Sequence, residues 1–371
     1  MQRRPLILSG LVHDLHASAA CWGLRRSGLS PLWPTSLAGE DVPPISLHCD
    51  EDTAWQASGW LDEASIGAVW YRRARSPEEF PRALPADVAF LRTEWARFLR
   101  NVYAVSDELS DRLWVNRPAA ASSAENKLVQ LRAARRCGWR LPATLVSNDP
   151  DAIRRFAARH QRVIYKPFMP HTWEEAGSGR MHSSFARLVE PGMLESDDSL
   201  SMCPGIYQAY VDKQFDLRVV AIGDRFFTVR LRGTGGEALV DWRVHTYAPD
   251  LAAEACPLPA GCQARLESLM RELGLAAGSF DLVVDRAGDV HFLEVNQSGQ
   301  FLFLEEMVES LPLLQAICAM LAEGRTDYSL DASTEITYRA YMASDHHQSW
   351  WEGVRGQLEA DTRAGSWLSV E

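Results

Sequence analysis

The 371-residue sequence predicts a mixed fold, in which an N-terminal α/β domain precedes a larger α+β part. Over about the first 115 residues, strand and helix signals alternate, as they do in domains with a parallel sheet. Beyond about residue 205, strand signals follow one another across short turns, which is typical of an antiparallel sheet. The chain is long enough for two or three domains with a sizeable core.

Composition and charge exclude several classes of protein. A net charge of -11 argues against a general nucleic-acid binder, because such a protein needs a basic face that displaces counterions. No apolar run approaches the roughly 18 residues of a membrane helix, and the apolar part of the N-terminus is too short for a signal peptide. The seven cysteines lack metal-binding spacing and are typical of reduced thiols. We therefore expect a cytoplasmic protein that binds neither nucleic acid nor a membrane.

Two strands and two helices are predicted in the N-terminal domain. The strand signals lie in PLILSG and GAVWYRR, and the helix signals lie in HASAACWGLRRSG and PADVAFLRTEWARFLRNVYAVS. The small-residue stretch NRPAAASSAEN, residues 116–126, predicts a linker. An amphipathic helix follows in NKLVQLRAARRCG and ends at Gly138.

Two further subdomains are predicted after the linker. The first has strands in LPATLVS and RVIYKPF around the helix NDPDAIRRFAARH, and then a loop or hairpin rich in Gly and Ser at residues 170–185. The second has strands in GIYQAYV, FDLRVVAI and FFTVRLRG, the helix LESLMRELGL and the hairpin SFDLVVDRAGDVHFLEVN. We place the domains at residues 1–115, 116–204 and 205–325, followed by a C-terminal extension at 326–371.

The hairpin carries the strongest sign of a functional site. Glu294 and Asn296 lie two apart and therefore share one face of a strand. With the turn centred on Ala287-Gly288, Asp281 lies opposite Glu294. Two facing carboxylates repel each other unless a proton or cation lies between them, and hard oxygen ligands suit Mg²⁺. The hairpin thus predicts a magnesium site; the alternative is an ordinary solvated strand face.

Two lysines are candidates for binding nucleotide phosphates. The sequence contains neither GxxxxGK[ST] nor GxGxxG, so a P-loop and a dinucleotide fingerprint are both absent. Lys127 opens a predicted helix, and Lys166 ends the strand RVIYKPF, where its neighbours shield it in part. Either lysine alone is more often an ordinary surface residue.

Taken together, these features resemble the ATP-grasp enzymes. Lys127, Lys166, the strand IYQAYV and the D…E-x-N hairpin occur in the order and spacing of that family, over about residues 115–325. The resemblance implies an ATP-grasp fold with an N-terminal α/β pre-ATP-grasp domain, a central domain and a C-terminal catalytic domain. It implies that both lysines contact ATP phosphates and that the three oxygen ligands of the hairpin hold two Mg²⁺ ions. It also implies a hinge whose backbone meets adenine, made of Gln208, Ala209, Tyr210 and Val211.

A narrower resemblance is to the graspetide (microviridin-type) synthetases, which are ATP-grasp ligases that macrocyclise ribosomal peptides. It rests on IYQAYVDKQFDLRVVAIGDRFFTVRL, VDWR and NQSGQFLFLE, and on VWYRR and LWVNRPAAASSAENKLVQLRAA in the N-terminal half. Gln297 departs from the pattern, because many relatives have proline at that position. The resemblance implies a precursor peptide with a leader segment as the partner, and a homodimer.

Arginines are candidates for steering the reacting groups. In such a ligase a carboxylate attacks ATP to give an acyl phosphate, which an amine or hydroxyl then attacks, and both steps need fixed positive charge. By resemblance, Arg218 and Arg243 steer the γ-phosphate or the substrate carboxylate, and Asp216 and Asp241 orient them. Arg230, in the strand TVRLRG, is a third catalytic candidate. The alternative is Asp–Arg pairing that only stabilises a sheet.

Three functions are compatible with these observations. The first is an ATP-dependent macrocyclase that forms ester or amide crosslinks between Asp/Glu and Ser/Thr/Lys side chains of a precursor. The second is a ligase that adds a free amino acid to a peptide or small-molecule carboxylate. The third is a nucleotide-binding protein without turnover, against which the intact set of metal-ligand candidates argues. In either ligase, Gly177 and Gly179 are expected to let residues 170–185 close over the phosphates.

Overall fold

A computed structural model describes residues 3–363 except 11, 35–43, 53, 63, 78–79, 110, 170–171, 175–179, 247, 332 and 334. Gly177 and Gly179, on which the expected closure of a loop depends, lie outside the described residues. Within them, three main sheets follow one another along the chain, the first parallel and the other two antiparallel.

The first sheet is parallel, as the alternation of strands and helices predicts. Its elements are β1 (Arg4–Leu8), α1 (Leu15–Arg26), β2 (Ile45–His48), β3 (Gln56–Gly59), β4 (Ile66–Tyr71), α2 (Val88–Ala104), α3 (Ser106–Leu109) and β5 (Leu113–Val115). The strand order is β1-β4-β5, while β2 and β3 form a separate hairpin. One face, with Ile7 and Trp70, packs on α1, and the other, with Leu6 and Val69, packs on α2. Both faces are therefore covered, as a parallel sheet requires.

The predicted linker at residues 116–126 is wrong, because most of it is helical. The elements here are α4 (Pro118–Glu125) and α5 (Lys127–Arg136). Proline suits the first turn of α4, and its alanines are strong helix formers. Ala121 and Ala124 are buried, and such small side chains let the helix approach its neighbours closely. Asn126 then caps α5 through its side-chain oxygen.

The second sheet is antiparallel and carries several of the residues predicted to bind the nucleotide, among them Lys166 and Gln208. Its elements are β6 (Thr144–Ser147), α6 (Pro150–Arg159), β7 (Val163–Lys166), the hairpin β8 (Thr172–Glu174) and β9 (Met181–Ser183), β10 (Arg187–Leu188), a 3₁₀ helix (Pro191–Leu194), α7 (Asp197–Met202) and β11 (Gly205–Ala209). The strand order is β10-β7-β11-β6, so β11 completes this sheet and lies just beyond the boundary predicted at residue 204. Val163 and Tyr207 pack on α6 and α7, whereas Ile164 and Gln208 face away from those helices.

The third sheet has five antiparallel strands and carries the predicted hairpin. Its elements are β12 (Lys213–Ile222), β13 (Arg225–Gly233), a 3₁₀ helix (Trp242–His245), β14 (Leu251–Ala255), α8 (Cys262–Leu273), β15 (Ala277–Asp285) and β16 (Val290–Asn296), in the order β14-β13-β12-β15-β16. One face, with Leu217, Phe280 and Phe292, packs on α5 and α8. On the other face, Val220 and Val229 join the core that includes α1.

The C-terminal helices cover the N-terminal domain. They are α9 (Leu302–Met307), α10 (Leu313–Glu323), α11 (Tyr338–Met342) and α12 (Asp345–Arg363). The Tyr341 hydroxyl donates to Ser18 Oγ at 2.9 Å, and Trp350 Nε1 donates to the Val12 carbonyl at 3.0 Å. The extension, whose role the sequence does not predict, thus packs along α1. None of the described helices combines the length and the apolar character needed to cross a membrane.

A buried arginine ties the first and third sheets together. Arg72 is 1% exposed; its Nε donates to Asp14 Oδ2 at 2.9 Å, and its Nη1 donates to the carbonyls of Ser298 and Gly299 at 3.0 and 3.3 Å. Asp14 also caps α1. Burial by itself would raise the pKa of Asp14, but the charge of Arg72 and the hydrogen bonds to the carboxylate lower it to about 2.

We expect Asp14→Asn to destabilise the protein by about 3 kcal/mol at neutral pH, because it leaves the buried guanidinium without its counter-charge. A lowered carboxyl pKa contributes stability above the unfolded value of 3.8 that is lost as the pH falls through about 2. Wild type should therefore lose stability over this range by an increment that the variant lacks. Chemical denaturation between pH 5 and pH 2 measures both effects; parallel pH profiles for the two proteins would contradict this account.

Candidate functional site

A cleft lies between the second and third sheets and collects most of the predicted site residues. Alternation along β7 and β11 directs one set of side chains into it, and alternation along β12 and β15 directs another. The residues that line it include Ile164, Lys166, Gln208, Ala209, Tyr210, Val211, Lys213, Asp216, Asp241, Arg243, Asp281 and Glu294.

Glu294 is surrounded by positively charged side chains in this cleft. Its carboxylate accepts bonds from Lys127 Nζ and from Arg243 Nη1, the latter at 2.9 Å. Burial by itself would raise the pKa of Glu294, but the charges of Arg243, Lys127 and Lys166 outweigh it and hold the pKa well below its usual range. Glu294 is therefore an ionised oxygen ligand at any physiological pH.

Arg243 is held in place by Asp241, as expected. Arg243 Nε and Nη2 donate to the two oxygens of Asp241, each at 2.9 Å, and the backbone N–H of Arg243 donates to the same carboxylate at 3.1 Å. Such a forked pair fixes the guanidinium plane. The side chain of Arg243 keeps 32% of its surface exposed, so it is oriented without being closed off from a ligand.

Asp281 lies beside Glu294 and is paired with Arg218. Arg218 Nη1 donates to Asp281 Oδ1 at 3.0 Å, and Nη2 donates to the Gln300 carbonyl at 3.3 Å. Arg218, Asp281 and Glu294 are direct neighbours across β12, β15 and β16. Burial raises the pKa of Asp281 despite the opposing charge of Arg218, and Glu294 raises it further. A cation placed between the two carboxylates would relieve this cost.

The predicted pairing of Asp281 with Glu294 is confirmed, although the turn differs from the prediction. Val284 pairs with Val290, one residue before the partner that the assumed turn gives it, His291. A bulge between Asp281 and Leu282 then shifts the register and restores the pairing. Such bulges redirect a side chain at the edge of a functional site. The conclusion was right, but alternation around the assumed turn was not its cause.

Gly299 brings Asn296 and Arg218 close together. A methyl group on Gly299 would lie 3.1 Å from Asn296 Cγ and 3.2 Å from Arg218 Nη2, so only glycine fits there without a shift. Asn296 is exposed, and its side-chain oxygen accepts a bond from the Ser298 N–H at 3.1 Å.

The donor set at this edge of the sheet fits Mg²⁺. It comprises two carboxylates and one amide, which are hard oxygen donors, and Mg²⁺ is normally held by one or two carboxylates together with waters and substrate phosphates. In the part of the chain that the structure describes, no group of three or more His, Cys, Asp or Glu residues is suited to a metal. These residues therefore do not indicate a metal site formed by the protein alone. They indicate a magnesium site that a nucleotide completes.

Lys166 and the hinge residues form the opposite wall. Lys166 Nζ donates to Gln208 Oε1 at 2.8 Å, and burial lowers the pKa of Lys166. The N–H groups of Ala209 and Tyr210 already donate to the carbonyls of Ala143 and Arg162, both at 2.9 Å. The Val211 N–H donates to none of the described residues. Of the backbone donors in the predicted hinge, the Val211 N–H is thus one that a ligand could use.

Lys213 is a site residue that the sequence analysis missed. Its Nζ donates to Asp216 Oδ1 at 2.7 Å, so Asp216 pairs with this lysine and not with Arg218 or Arg243 as expected. Burial raises the pKa of Asp216 to about 6, although Lys213 opposes the shift, and its second oxygen accepts no bond from the described residues. The composition of the chain could have indicated Lys213. Only three of the 38 basic residues are lysines, and the other two, Lys127 and Lys166, were both predicted to bind phosphates.

Arg230 lies outside this cluster, contrary to the prediction of a catalytic role beside Arg218. It pairs across the ladder with Leu217, so it points to the face opposite Arg218. There its guanidinium lies 4.8 Å from the centre of the Phe215 ring and 3.5 Å from Glu254. The physical reason is that successive side chains along a strand point to opposite faces of the sheet. Arg230 shares a face with its partner Leu217, and Arg218, the next residue, therefore points to the other face.

A wider chamber of about 480 Å³ adjoins the cleft. Arg243 and Glu294 line both spaces, so the two adjoin each other at these residues. The chamber is also lined by Arg73, Arg75, Glu125, Lys127, Phe168, Met169, Asn296 and Ser298. A substrate in the chamber would reach Arg243 from the side opposite the hinge.

Solved structures are similar to this chain in fold, whereas no family profile and no curated protein matches the chain. Macrocyclase MdnB from Microcystis aeruginosa MRC is 26% identical with a TM-score of 0.65, over 86% of this chain and 99% of its own. A RiPP-associated ATP-grasp ligase from Chryseobacterium gregarium, solved with ADP and a leader and core peptide, is 19% identical with a TM-score of 0.72, over 89% and 100%. The chain has the ATP-grasp fold.

A further ATP-grasp structure resembles this chain to a similar degree. PsnB, solved with a phosphomimetic variant of its minimal precursor, Mg and ADP, is 22% identical with a TM-score of 0.65, over 87% of this chain and 99% of its own. The ATP-grasp fold accounts for the two facing antiparallel sheets, with Lys166 and Gln208 on one side of the cleft and Asp281 and Glu294 on the other.

We expect Gly299→Ala to weaken ATP binding in the presence of Mg²⁺ by roughly ten-fold or more, because the methyl group displaces Asn296 and Arg218. Binding in the presence of EDTA should change little. Gly192→Ala is the matched control, since a methyl group there meets no atom within 4 Å. Calorimetric titration with ATP measures both variants, and equal affinities for them would contradict the role assigned to Gly299.

Lys127→Met and Lys166→Met should each weaken ATP binding by roughly ten-fold, the loss expected for one charge-assisted hydrogen bond. Because burial lowers the pKa of Lys166, ATP affinity should fall as the pH rises into the alkaline range, earlier than an ordinary lysine would require. Lys166→Arg should remove that dependence. The exposed Arg159 provides a control as Arg159→Met; affinity unchanged in both lysine variants would leave the phosphates without their proposed contacts.

Proposed function

We propose that the chain is an ATP-dependent ligase that activates Asp or Glu side chains of a precursor peptide as acyl phosphates and closes them onto Ser, Thr or Lys side chains as macrocyclic ester or amide crosslinks. The observation that carries the proposal is the pair of carboxylates Asp281 and Glu294, which face fixed cations at the junction of the cleft and the chamber. The macrocyclases and RiPP ligases to which the chain is similar support the choice of a peptide substrate.

ATP is proposed to lie along the cleft from the hinge to the junction. The Val211 N–H would donate to adenine, and the second oxygen of Asp216 would accept from a donor of the nucleoside. Lys166 and Lys127 would neutralise the phosphates. Asp281, Glu294 and Asn296 would hold two Mg²⁺ ions, which would supply neutralisation of the phosphate charge.

Lys127 and Arg243, the cations that pair with Glu294, are the groups that could bind a substrate. When Glu294 takes a metal ion instead, Lys127 and Arg243 lose that partner. Arg243 retains its forked bond to Asp241 and is therefore still oriented. We assign to Arg243 the binding of the substrate carboxylate in the chamber. We assign to Arg218 the orientation of the γ-phosphate.

The proposed reaction has two displacements. A carboxylate oxygen of the peptide bonds to the γ-phosphorus, and the bond to the bridging oxygen breaks to release ADP. A hydroxyl or amine of the same peptide then bonds to the acyl carbon, loses its proton, and expels phosphate. Fixed guanidinium groups stabilise the negative charge that develops on oxygen in both steps. Each crosslink therefore consumes one ATP and removes the elements of one water from the peptide.

A leader segment on the precursor and a homodimer are also proposed, on the resemblance and not on the geometry. A cytoplasmic location is proposed on the composition of the chain. The seven cysteines, all of them free, are compatible with a reducing compartment. Size-exclusion chromatography with light scattering tests the dimer.

Incubation with ATP, Mg²⁺ and a candidate precursor should lower the peptide mass by about 18 Da per crosslink, the mass of one water, in step with ADP released. Hydroxylamine should intercept the acyl phosphate and suppress crosslinking. Arg243→Ala should abolish product yet spare ATP binding, whereas Arg232→Ala, on the far face of the sheet, should keep activity.

Mass spectrometry and ADP release separate the alternatives. A mass gain equal to one amino-acid residue would support the ligase that adds a free amino acid. Unchanged peptide mass with brisk, peptide-independent ATP hydrolysis would refute both ligase functions. Nucleotide binding without any hydrolysis would leave only a binding protein.

A further inference from the structure

A second cleft of about 560 Å³ opens on the N-terminal domain, between α2, α4 and the segment after β4. We call it the α2 cleft. The residues that define it are Tyr71, Arg75, Leu99, Arg100, Tyr103 and Ser122. It lies at the carboxyl end of β4, the edge at which open α/β sheets bind ligands.

The α2 cleft is positively charged in a chain whose net charge is -11. Two guanidinium groups, those of Arg75 and Arg100, border it, and neither forms an ion pair with the described residues. None of the described side chains that line it is acidic. Two arginines that form no ion pair within the described part of the chain, across one concave space, provide donors for a carboxylate.

Tyr103 adds an unused hydrogen-bond donor. The residue is 7% exposed, and its hydroxyl oxygen is buried and bonds to none of the described residues. Its ring packs edge-on against Tyr71, with centroids 5.1 Å apart, which holds it in place at the cleft. An unpaired buried hydroxyl is costly, so an acceptor bound in the cleft would stabilise it.

The α2 cleft adjoins the chamber at Arg75. Arg75 lines both spaces, just as Arg243 and Glu294 line both the chamber and the nucleotide cleft. The three spaces therefore follow one another from the hinge to the N-terminal domain. A peptide whose reacting side chain lies at Arg243 would extend past Arg75 towards Arg100.

We propose that the α2 cleft binds a second carboxylate side chain of the same peptide, through Arg75, Arg100 and Tyr103, while a neighbouring carboxylate is activated. This subsite rests on the proposed function, because it presupposes a peptide in the chamber. It would position an acidic peptide relative to the γ-phosphate and would select peptides with more than one acidic residue.

The probe is a fluorescein-labelled peptide of alternating Thr and Glu with an amidated C-terminus, and its counterpart with Gln in place of Glu. Fluorescence anisotropy at low salt measures binding of each to the full chain, because screening weakens contacts to exposed arginines. Wild type should bind the Glu peptide more tightly. Arg100→Gln and Tyr103→Phe should each weaken that binding by roughly ten-fold and leave ATP affinity unchanged. Arg97→Gln, on α2 but not lining the cleft, should have no effect.

Tyr103→Phe guards against a loss of folding, since removing a hydroxyl without a partner should not lower the thermal unfolding midpoint. Equal binding of the two peptides by wild type, or unchanged binding in both variants, would overturn the proposal. Tight, Arg100-dependent binding of a Gln peptide with a free C-terminal carboxylate would overturn the side-chain assignment.

ADP release separates this subsite from the proposed function. ADP release that the Glu peptide stimulates, combined with binding that ignores Arg100, would refute the subsite alone. Binding that depends on Arg100 but is followed by no ADP release would uphold the subsite and refute the ligase function.

Discussion

The position of the loop after β16, which contains Ser298 and Gly299, depends on one buried charge. Arg72 is compensated by Asp14 at the start of α1 and by the carbonyls of Ser298 and Gly299 after β16. A buried guanidinium that loses such partners is strongly destabilising, so the loop cannot leave the N-terminal domain without cost. The same loop places Gly299 against Asn296, and the geometry of the metal-ligand candidates follows from it. The N-terminal domain thus helps to position the candidate site.

Two neutral side chains reinforce this contact. Asn116 accepts the N–H groups of Ala276 and Ala277 and donates to the Gln297 carbonyl at 3.1 Å. His16 Nε2 accepts the Phe301 N–H at 2.8 Å, and burial, with the nearby charge of Arg72, lowers the pKa of His16 so that the ring stays neutral and able to accept. The loop is therefore held at both ends by groups outside its own sheet.

Features that the sequence did not predict depend on contacts between distant parts of the chain. The small residues of 116–126 predict a flexible linker, but burial of Ala121 and Ala124 stabilises a helix there. Arg230 was grouped with Arg218 by type and proximity in sequence, although the register of two strands sends them to opposite faces. Arg72 and Lys213 lie in stretches that carry the family resemblance, VWYRR and IYQAYVDKQFDLRVV, but neither was assigned a role from the sequence. Each outcome depends on partners distant in the chain, which local patterns do not contain.

The sequence by itself determined the order of elements, the parallel first sheet and the acidic hairpin, because these follow from local periodicity and from residue types at short spacing. It also carried the resemblance to ATP-grasp enzymes, since that depends on spacing along one chain. Only the tertiary structure decided which cation meets which carboxylate, where the bulge beside Asp281 lies, and that Arg75 borders both the chamber and the α2 cleft. Those features arise where segments far apart in sequence meet, and ion pairs and burial there are properties of the packed molecule.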